Sequence, residues 1–308
     1  MARDFYIQPD AADPVLDSQA VLAIVREHAP GADAVTAVDE SGGEARIYAI
    51  DGDLILKVRR PQQLRARTSL AKERFFLGQL SGVQGVCVPR VIAGGVTQHL
   101  VEYILMSRMP GMAVTSANLH GQQRKQALFA LGAMLRRIHA IPQQPLFEAR
   151  LIPGDHTAAD VRWRFGKVFD EALAVVTRAA AHWSLACSPE QVARGAMAAL
   201  PEVDQWVALH SNPGPEHVFV DPRGGQLTGI IDFGDAYFGH PVHDLRRWRC
   251  PQDRAAVYAG YTALAPASNN FDRTWIVANV LADMLAIALE PKCRAAATEE
   301  LSGLMKRL

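Results

Sequence analysis

The sequence predicts an α+β fold in two parts, an antiparallel sheet followed by a mainly helical remainder. Three observations carry this. Between Ala34 and Arg60 three short alternating segments are divided by glycine turns. A further apolar strand, residues 98–108, runs into the breaker Met109-Pro110-Gly111. Beyond it, apolar residues recur at helical spacing over 121–139 and over three later segments. The break places an N-terminal lobe at residues 1–108 and a C-terminal lobe at 109–308.

Taken in order, residues 17–28, DSQAVLAIVREH, open on an Asp and keep their apolar residues on one face, as a short leading helix does. AVTAVDE, EARIYAID and DLILKVRR then read as an antiparallel meander. Its first turn, Ser41-Gly42-Gly43, reads equally as an ordinary hairpin and as a loop laid over phosphate. Lys57 stands inside the apolar strand LILKV, where a lysine is costly without a partner. The following SLAKERFFLGQL is a helix with Leu70, Phe76, Leu77 and Leu80 inward and Glu73 near that face. Either Lys57 pairs with Glu73, or Lys57 snorkels from an edge strand and Glu73 is surface. After Val88-Pro89-Arg90 a Gly-Gly pair is read as a turn.

In the second part GQQRKQALFALGAMLRRIH, residues 121–139, carries Leu128, Leu131, Leu135 and Ile138 on one stripe. Residues 158–184 read as one helix rich in aromatic residues, among them Trp163, Phe165, Phe169 and Trp183. Segments 252–264, 270–289 and 293–307 are three more helices, punctuated by Pro251, Pro266 and Pro291.

Composition excludes several classes. Lys plus Arg equals Asp plus Glu at 32 each, so no global basic field recruits nucleic acid or an anionic membrane. Asn279 and Asp283 interrupt the most apolar segment, WIVANVLADMLAIALE, which therefore reads as a buried amphipathic helix and not a membrane span. Cys87, Cys187, Cys250 and Cys293 are widely spaced without a C-x-x-C. That argues against a disulfide framework or a structural zinc site and fits a reducing cytosol. The first residues carry charges and a proline where a signal peptide needs an apolar core. A cytoplasmic protein, monomer or homodimer, is expected.

The chemistry concentrates in residues 209–244. Two short strands, HVFVD and LTGIID, flank a Pro-Arg-Gly-Gly turn and form a hairpin. His210, Asn212 and His217 precede the first strand, and Asp232 closes the second. Oxygen and nitrogen ligands converging from two chain segments suit a divalent metal with phosphate oxygens.

This stretch resembles the catalytic and metal-binding loops of the aminoglycoside phosphotransferase and choline kinase group, whose fold resembles the protein kinases. The family pattern runs H-G-D-x-x-x-x-N, then I-D-[WF]-G-D-A, then G-D-P-x-x-D. His210, Ser211 and Asn212 cover H-G-D, and His217 covers the N. Ile231 to Ala236 match the second motif, and Gly239, His240, Pro241 and Asp244 cover the third. The resemblance implies a protein-kinase-like fold over essentially the whole chain. It also implies O-phosphorylation of a small-molecule alcohol by ATP or GTP, with Mg²⁺ or, as the alternative, Mn²⁺. Lys57, Glu73 and the Ser41-Gly42-Gly43 turn would hold the phosphates, and Asp232 and His217 the metal. Ser107 and Met109 would read the purine through their backbone as a hinge, with Met106 against the ring. His210, Asp235 and Asp244 would be loop-holding residues, and His139 structural. The aromatic helix 158–184 is core, with part of it implied as a wall of the acceptor site.

Two departures matter. The family's metal-ligating Asn is His217, as also in its macrolide and 2″-aminoglycoside kinases. Its catalytic Asp is Asn212, which can orient a hydroxyl but not take its proton. The expected enzyme is therefore a small-molecule kinase, an antibiotic kinase among the candidates, with impaired turnover. Glu216 is the one other carboxylate of that loop, read as lying beyond the Pro-Gly-Pro turn. A nucleotide-binding pseudokinase is the first alternative. The second is a metal-dependent hydrolase using His210, His217, His240 and His243. For a cationic acceptor, Asp160, Asp170, Glu171, Asp253, Asp272, Asp283 and Glu290 are available but scattered.

Overall fold

The computed structural model describes residues 7–13, 15–65, 69–97, 101–202 and 205–308. Helix α1 (Ser18–Arg26) begins where the Asp17 carboxylate accepts the Ala20 N–H at 2.8 Å, satisfying one of the free amides of the first turn. Strands β1 (Val35–Asp39), β2 (Ala45–Ile50) and β3 (Leu54–Arg59) form the expected meander. Helix α2 (Leu70–Leu80) follows, and β4 (Val91–Val96) and β5 (Glu102–Ser107) complete a five-stranded antiparallel sheet in the order β1-β2-β3-β5-β4. The first residues of the strand read at 98–108 lie outside the described residues.

The Gly-Gly pair, Gly94-Gly95, is not a turn: both residues lie inside β4. The absence of side chains there lets Arg74 and Tyr103 pack against the strand. A Cβ on Gly94 would sit 3.0 Å from Arg74 Cδ, and one on Gly95 3.0 Å from Tyr103 Oη.

The pleat sorts β3 by alternation. Leu56 and Val58 pack with Val21 and Val25 of α1 in a core outside the sheet. Ile55 and Lys57 face the other side, towards the rest of the molecule. There Phe76, Leu77 and Leu80 of α2 join Ile104 and Met106 of β5 in the main core.

That core continues through β6 (Met112–Ala113), α3 (Gly121–His139), α4 (Gln144–Glu148), α5 (Ala158–Arg178) and α6 (Pro189–Ala199). Then come β7 (Val207–Leu209), β8 (Val218–Val220), β9 (Leu227–Ile230), β10 (Tyr237–Gly239) and α7 (Val242–Leu245), and finally α8 (Pro251–Ala263), α9 (Asn269–Leu289) and α10 (Arg294–Met305). The β8–β9 hairpin is the one read from sequence, with β6 added on its edge; β7 pairs separately with β10. Three-residue strands show no usable period, which is why β7 and β10 escaped notice. The available signal for α6 was its capping box, in which Ser188 and Gln191 each bond the other's backbone.

One reading of the helices changes. Helix α5 stops at Arg178, short of Trp183, and Trp163 is exposed while Phe165 and Phe169 are core. Helix α9 is the buried helix expected, and Asn279 and Asp283 lie within it. Both are buried and hold Arg254: Asn279 Oδ1 accepts from Arg254 Nε at 2.7 Å, and Asp283 pairs with the same guanidinium. A buried arginine needs such partners, so polar residues inside an apolar helix marked a network. No helix among the described residues is long and apolar enough to cross a membrane.

The cysteine reading is also corrected. Cys250 and Cys293, at the entries of α8 and α10, form a disulfide with Cα atoms 5.2 Å apart, while Cys87 and Cys187 are free. A separation of 43 residues has no local signature, and the pairing exists only because the two helix starts meet.

Candidate active site

Helix α2 holds the sheet against the loop after β9. Lys57 Nζ lies 2.7 Å from Glu73 Oε2 and 2.7 Å from Asp232 Oδ1. Glu73 also accepts the Phe233 N–H. Burial works to lower the Lys57 ammonium, but the two carboxylates hold it above the usual lysine range. Burial works to raise the Asp232 carboxyl, and Lys57 and His217 hold it below the usual range. Burial and the nearby Asp232 push Glu73 upward against Lys57. Lys57 therefore does not snorkel: it is fixed between two carboxylates.

Sequence reading missed the neighbouring Lys72. It is fully buried and donates to the Ala236 carbonyl at 2.8 Å. Phe76 packs edge-on to Phe233 with ring centroids 5.1 Å apart. One turn of α2 thus ties down the whole Asp232–Ala236 loop. A lysine beside Glu73 on the inner face of an amphipathic helix was the available sign. Asp235 lies in the turn that the Ala236 N–H closes onto the Phe233 carbonyl at 3.1 Å.

The loop before β8 is pinned from below. Asp244 accepts the His210 N–H at 2.9 Å, the Ser211 N–H at 2.8 Å and a ring N–H of His139 at 3.0 Å. Burial works to raise Asp244, and these bonds, His139 first, hold it low. His139 also contacts Tyr261 Oη at 3.1 Å, so it is a buried strut. His210 accepts the Asn212 N–H on Nδ1 at 3.2 Å and donates from Nε2 to the Ile231 carbonyl at 2.8 Å. That pair of partners defines a neutral tautomer, and burial pushes the imidazole down to about 4. Ser211 and Asp232 both adopt left-handed backbone, φ 81° and 71°. A non-glycine residue there costs about 1–3 kcal/mol, and both sit where the two loops meet.

His217 donates from Nδ1 to the Asn212 carbonyl at 2.8 Å, which turns Nε2 towards Asp232 Oδ2, 3.4 Å away. A ring nitrogen and a carboxylate oxygen at that distance can share one cation. A histidine whose other nitrogen is held by a carbonyl is the usual form of a metal ligand. The Asp232 side chain keeps 40% exposure, so it remains open to a ligand. Among the described residues no third His, Cys, Asp or Glu joins them, so phosphate oxygens and water would complete the shell.

The four histidines of the hydrolase alternative do not converge on one point. His240 lies against Phe271 and His243 against Phe165, both buried in the core. Burial pushes His240 down to about 3 and His243 well below its ordinary range.

Two adjoining cavities meet at Thr115 and Glu216. The first, about 610 Å³, lies between the sheet and the β8–β9 hairpin. It gathers Ser41, Gly42, Gly43, Lys57, Glu73, Met106, Ser107, Met109, His217 and Asp232 onto one surface. The second, about 1270 Å³, lies among α3, α8 and the start of α10 and contains Asn212. The Asn212 Oδ1 accepts from the Arg247 guanidinium, at 3.2 Å from Nε and closer from Nη2. Arg247 was not read from sequence, and nothing local marked it. None of Trp163, Phe165, Phe169 or Trp183 lines this cavity. Glu216 is not hidden behind the Pro-Gly-Pro turn. A Cβ on Gly214 would meet Glu216 Oε2 at 3.2 Å and Asn212 Oδ1 at 3.7 Å, so both side chains flank one spot.

A sequence model of the phosphotransferase enzyme family APH matches residues 35–282. Among solved structures, the chain is similar to the macrolide 2′-phosphotransferase of Brachybacterium faecium, with TM-score 0.60 and 21% identity over 92% of this chain and 97% of that one. It is similar to the GDP complex of aminoglycoside 2′-phosphotransferase-IIIa, with TM-score 0.64 and 15% identity over 95% and 99%. It is also similar to an aminoglycoside phosphotransferase in a ternary complex with streptomycin and ATP, with TM-score 0.58 and 14% identity over 95% and 97%. With the match spanning most of its length, the chain belongs to the APH phosphotransferase enzyme family.

Proposed function

We propose that this protein transfers the terminal phosphoryl group of ATP or GTP to the hydroxyl of a small molecule, at low turnover. The observation that carries the reading is the Glu73–Lys57–Asp232 chain at the floor of the 610 Å³ cavity, with His217 beside it. Phosphoryl transfer asks little covalent work of a protein; it needs positioned phosphates, neutralised charge and an aligned acceptor. In this reading Lys57 holds the phosphates, steadied by Glu73, and the Ser41-Gly42-Gly43 turn covers them. The purine lies against Met106, between the backbone of Ser107 and Met109. A divalent cation held by Asp232 and His217 would neutralise phosphate charge, with Mn²⁺ tolerated because imidazole is softer than an amide oxygen. His210 and Asp244 keep the two loops in register.

Asn212 stands at the border of the second cavity, where the acceptor hydroxyl would lie. Its amide can orient that hydroxyl but cannot accept its proton near neutral pH. Loss of general-base assistance costs roughly 10²- to 10⁴-fold in rate. Residues 1–108 and 109–308 act as nucleotide and acceptor lobes in this account. The test is acceptor-dependent ADP formation with Mg²⁺ and ATP or GTP. Nucleotide-induced thermal stabilisation with slow, acceptor-stimulated ADP release supports it; no stabilisation by any Mg-nucleotide rejects it.

A further inference from the structure

The second cavity has the wrong charge for a polycation. Lys125, Arg246, Arg247, Arg249 and Lys292 line it, and among the described residues none has a carboxylate within ion-pair distance. Arg124 also lines it but is committed to Asp253 through two bonds of 2.9 and 2.7 Å. Among the described residues Glu216 and Glu290 remain as carboxylates on the wall, and both act on Arg249 from beyond ion-pair distance. Of the acidic residues that sequence offered for a cationic acceptor, Glu290 and the Arg124-bound Asp253 line this cavity, and the other five do not. Asp283 is buried with Arg254, Asp160 caps α5, and Asp272 bonds Tyr258. The residue at 212 adds to this imbalance, because an amide stands where the family pattern has a carboxylate.

The arginines are also placed for a ligand. Three lie within four positions, Arg246, Arg247 and Arg249, where they repel one another. Burial first, and then Arg247, push the Arg246 guanidinium below its ordinary range. Its Nε donates to His243 Nδ1 at 3.3 Å. Arg247 places its fork on the uncharged Asn212 Oδ1, at the border with the nucleotide cavity. Clustered guanidinium groups without counter-ions are favourable when an anion completes the set, most strongly through bidentate contacts with phosphate or carboxylate.

We infer that the acceptor of this enzyme is an anionic alcohol, a small molecule carrying a phosphate or carboxylate group beside the hydroxyl that is phosphorylated. Arg247 and Arg249 bind the anionic group, and Arg247 simultaneously sets its distance from Asn212. The inference rests on the phosphotransferase reading above for the word acceptor, but the charge preference of the cavity can be measured apart from it.

The experiment is calorimetric titration of the full chain with its nucleotide cavity saturated by Mg-ADP, so that added anions report the second cavity. The probes are inorganic phosphate, glucose 6-phosphate, gluconate, glucose and kanamycin. The expected result is binding of phosphate and of at least one anionic sugar at least tenfold tighter than glucose or kanamycin. Glucose 6-phosphate against gluconate distinguishes a phosphate-bearing from a carboxylate-bearing acceptor. The double variant Arg247→Gln, Arg249→Gln should lose at least tenfold in that binding while Mg-ADP binds as before. Both side chains are exposed, so the fold is not at risk. Glucose or kanamycin binding as tightly as the anions, anion binding unchanged in the double variant, or no phosphate binding at all would each overturn the inference. Failure of Mg-ADP to bind would instead remove the phosphotransferase reading. The same anion titrations on wild type and double variant would then still decide the charge preference.

Discussion

Lys57 and Asp232, 175 positions apart in sequence, lie 2.7 Å apart, Nζ to Oδ1, and join the sheet to the loop after β9. If this contact is the phosphate and metal anchor, neither residue is replaceable. Asp232→Ala should abolish the Mg²⁺-dependent part of nucleotide stabilisation, and Lys57→Ala should weaken nucleotide binding at least tenfold. Lys57→Ala should also lower the melting temperature of the free protein, because it leaves the buried Glu73 without its cation, a change worth about 3 kcal/mol or more. Thermal unfolding with and without Mg-ADP reads both effects. Undiminished Mg-nucleotide binding in Asp232→Ala would remove the metal assignment.

The purine site makes a separate prediction. Met106 is buried at the end of β5 and lines the smaller cavity beside Ile55 and Leu70. Met106→Tyr should narrow that space and change the ratio of ATP to GTP affinity. Met109→Ala should change it little if the contact is through the backbone. Competition binding with the two nucleotides decides, and an unchanged ratio in Met106→Tyr would move the purine elsewhere.

The buried histidines make stability fall on acidification. His210 is held neutral by burial with its folded value near 4, and His240 near 3, against 6.5 for a free imidazole. Below pH 6.5 the unfolded chain takes up protons that the folded chain refuses, so unfolding is favoured progressively until the folded values are reached. His210 alone would cost up to about 3 kcal/mol between pH 6.5 and 4. Melting temperature should be flat above pH 7 and drop steeply through pH 6 to 4. A flat profile to pH 4 would contradict the neutral, buried assignment.

Much of the fold was legible because its signals are local. Glycine turns and alternation marked β1 to β3, and an uninterrupted apolar stripe marked α3 to the residue. Lys57 and Glu73 could be suspected because a charge in a strand interior has few explanations. What sequence hid was tertiary. Gly94-Gly95 looks like a turn until Arg74 and Tyr103 are seen against it. Cys250 meets Cys293, and Arg254 meets Asn279 and Asp283, only after the helices pack. The cation-rich second cavity was hidden for the same reason. Lys125, Arg247 and Lys292 come from three distant segments, and the chain's net charge of zero masks their convergence.

Asn212 cannot take a proton, which leaves Glu216 beside it as the candidate for base assistance. If Glu216 accepts the proton, Glu216→Gln should remove the residual activity. If no base operates, Glu216→Gln should leave the rate within about threefold, since a general base is worth roughly 10²-fold or more. Rates of ADP formation under saturating nucleotide separate the two.

The most direct test of the account is a single-turnover comparison of the wild-type chain with Asn212→Asp, using ATP and an acceptor panel that includes glucose 6-phosphate and gluconate. The exchange conserves shape, and the new carboxylate would lie within reach of Arg247. The account predicts phosphotransfer faster by roughly 10²-fold or more in Asn212→Asp, with nucleotide affinity changed far less. Equal rates in the two forms with an active acceptor would show that position 212 is not where the proton is taken. Equal silence across the panel, with Mg-nucleotide still bound, would make this a nucleotide-binding pseudokinase.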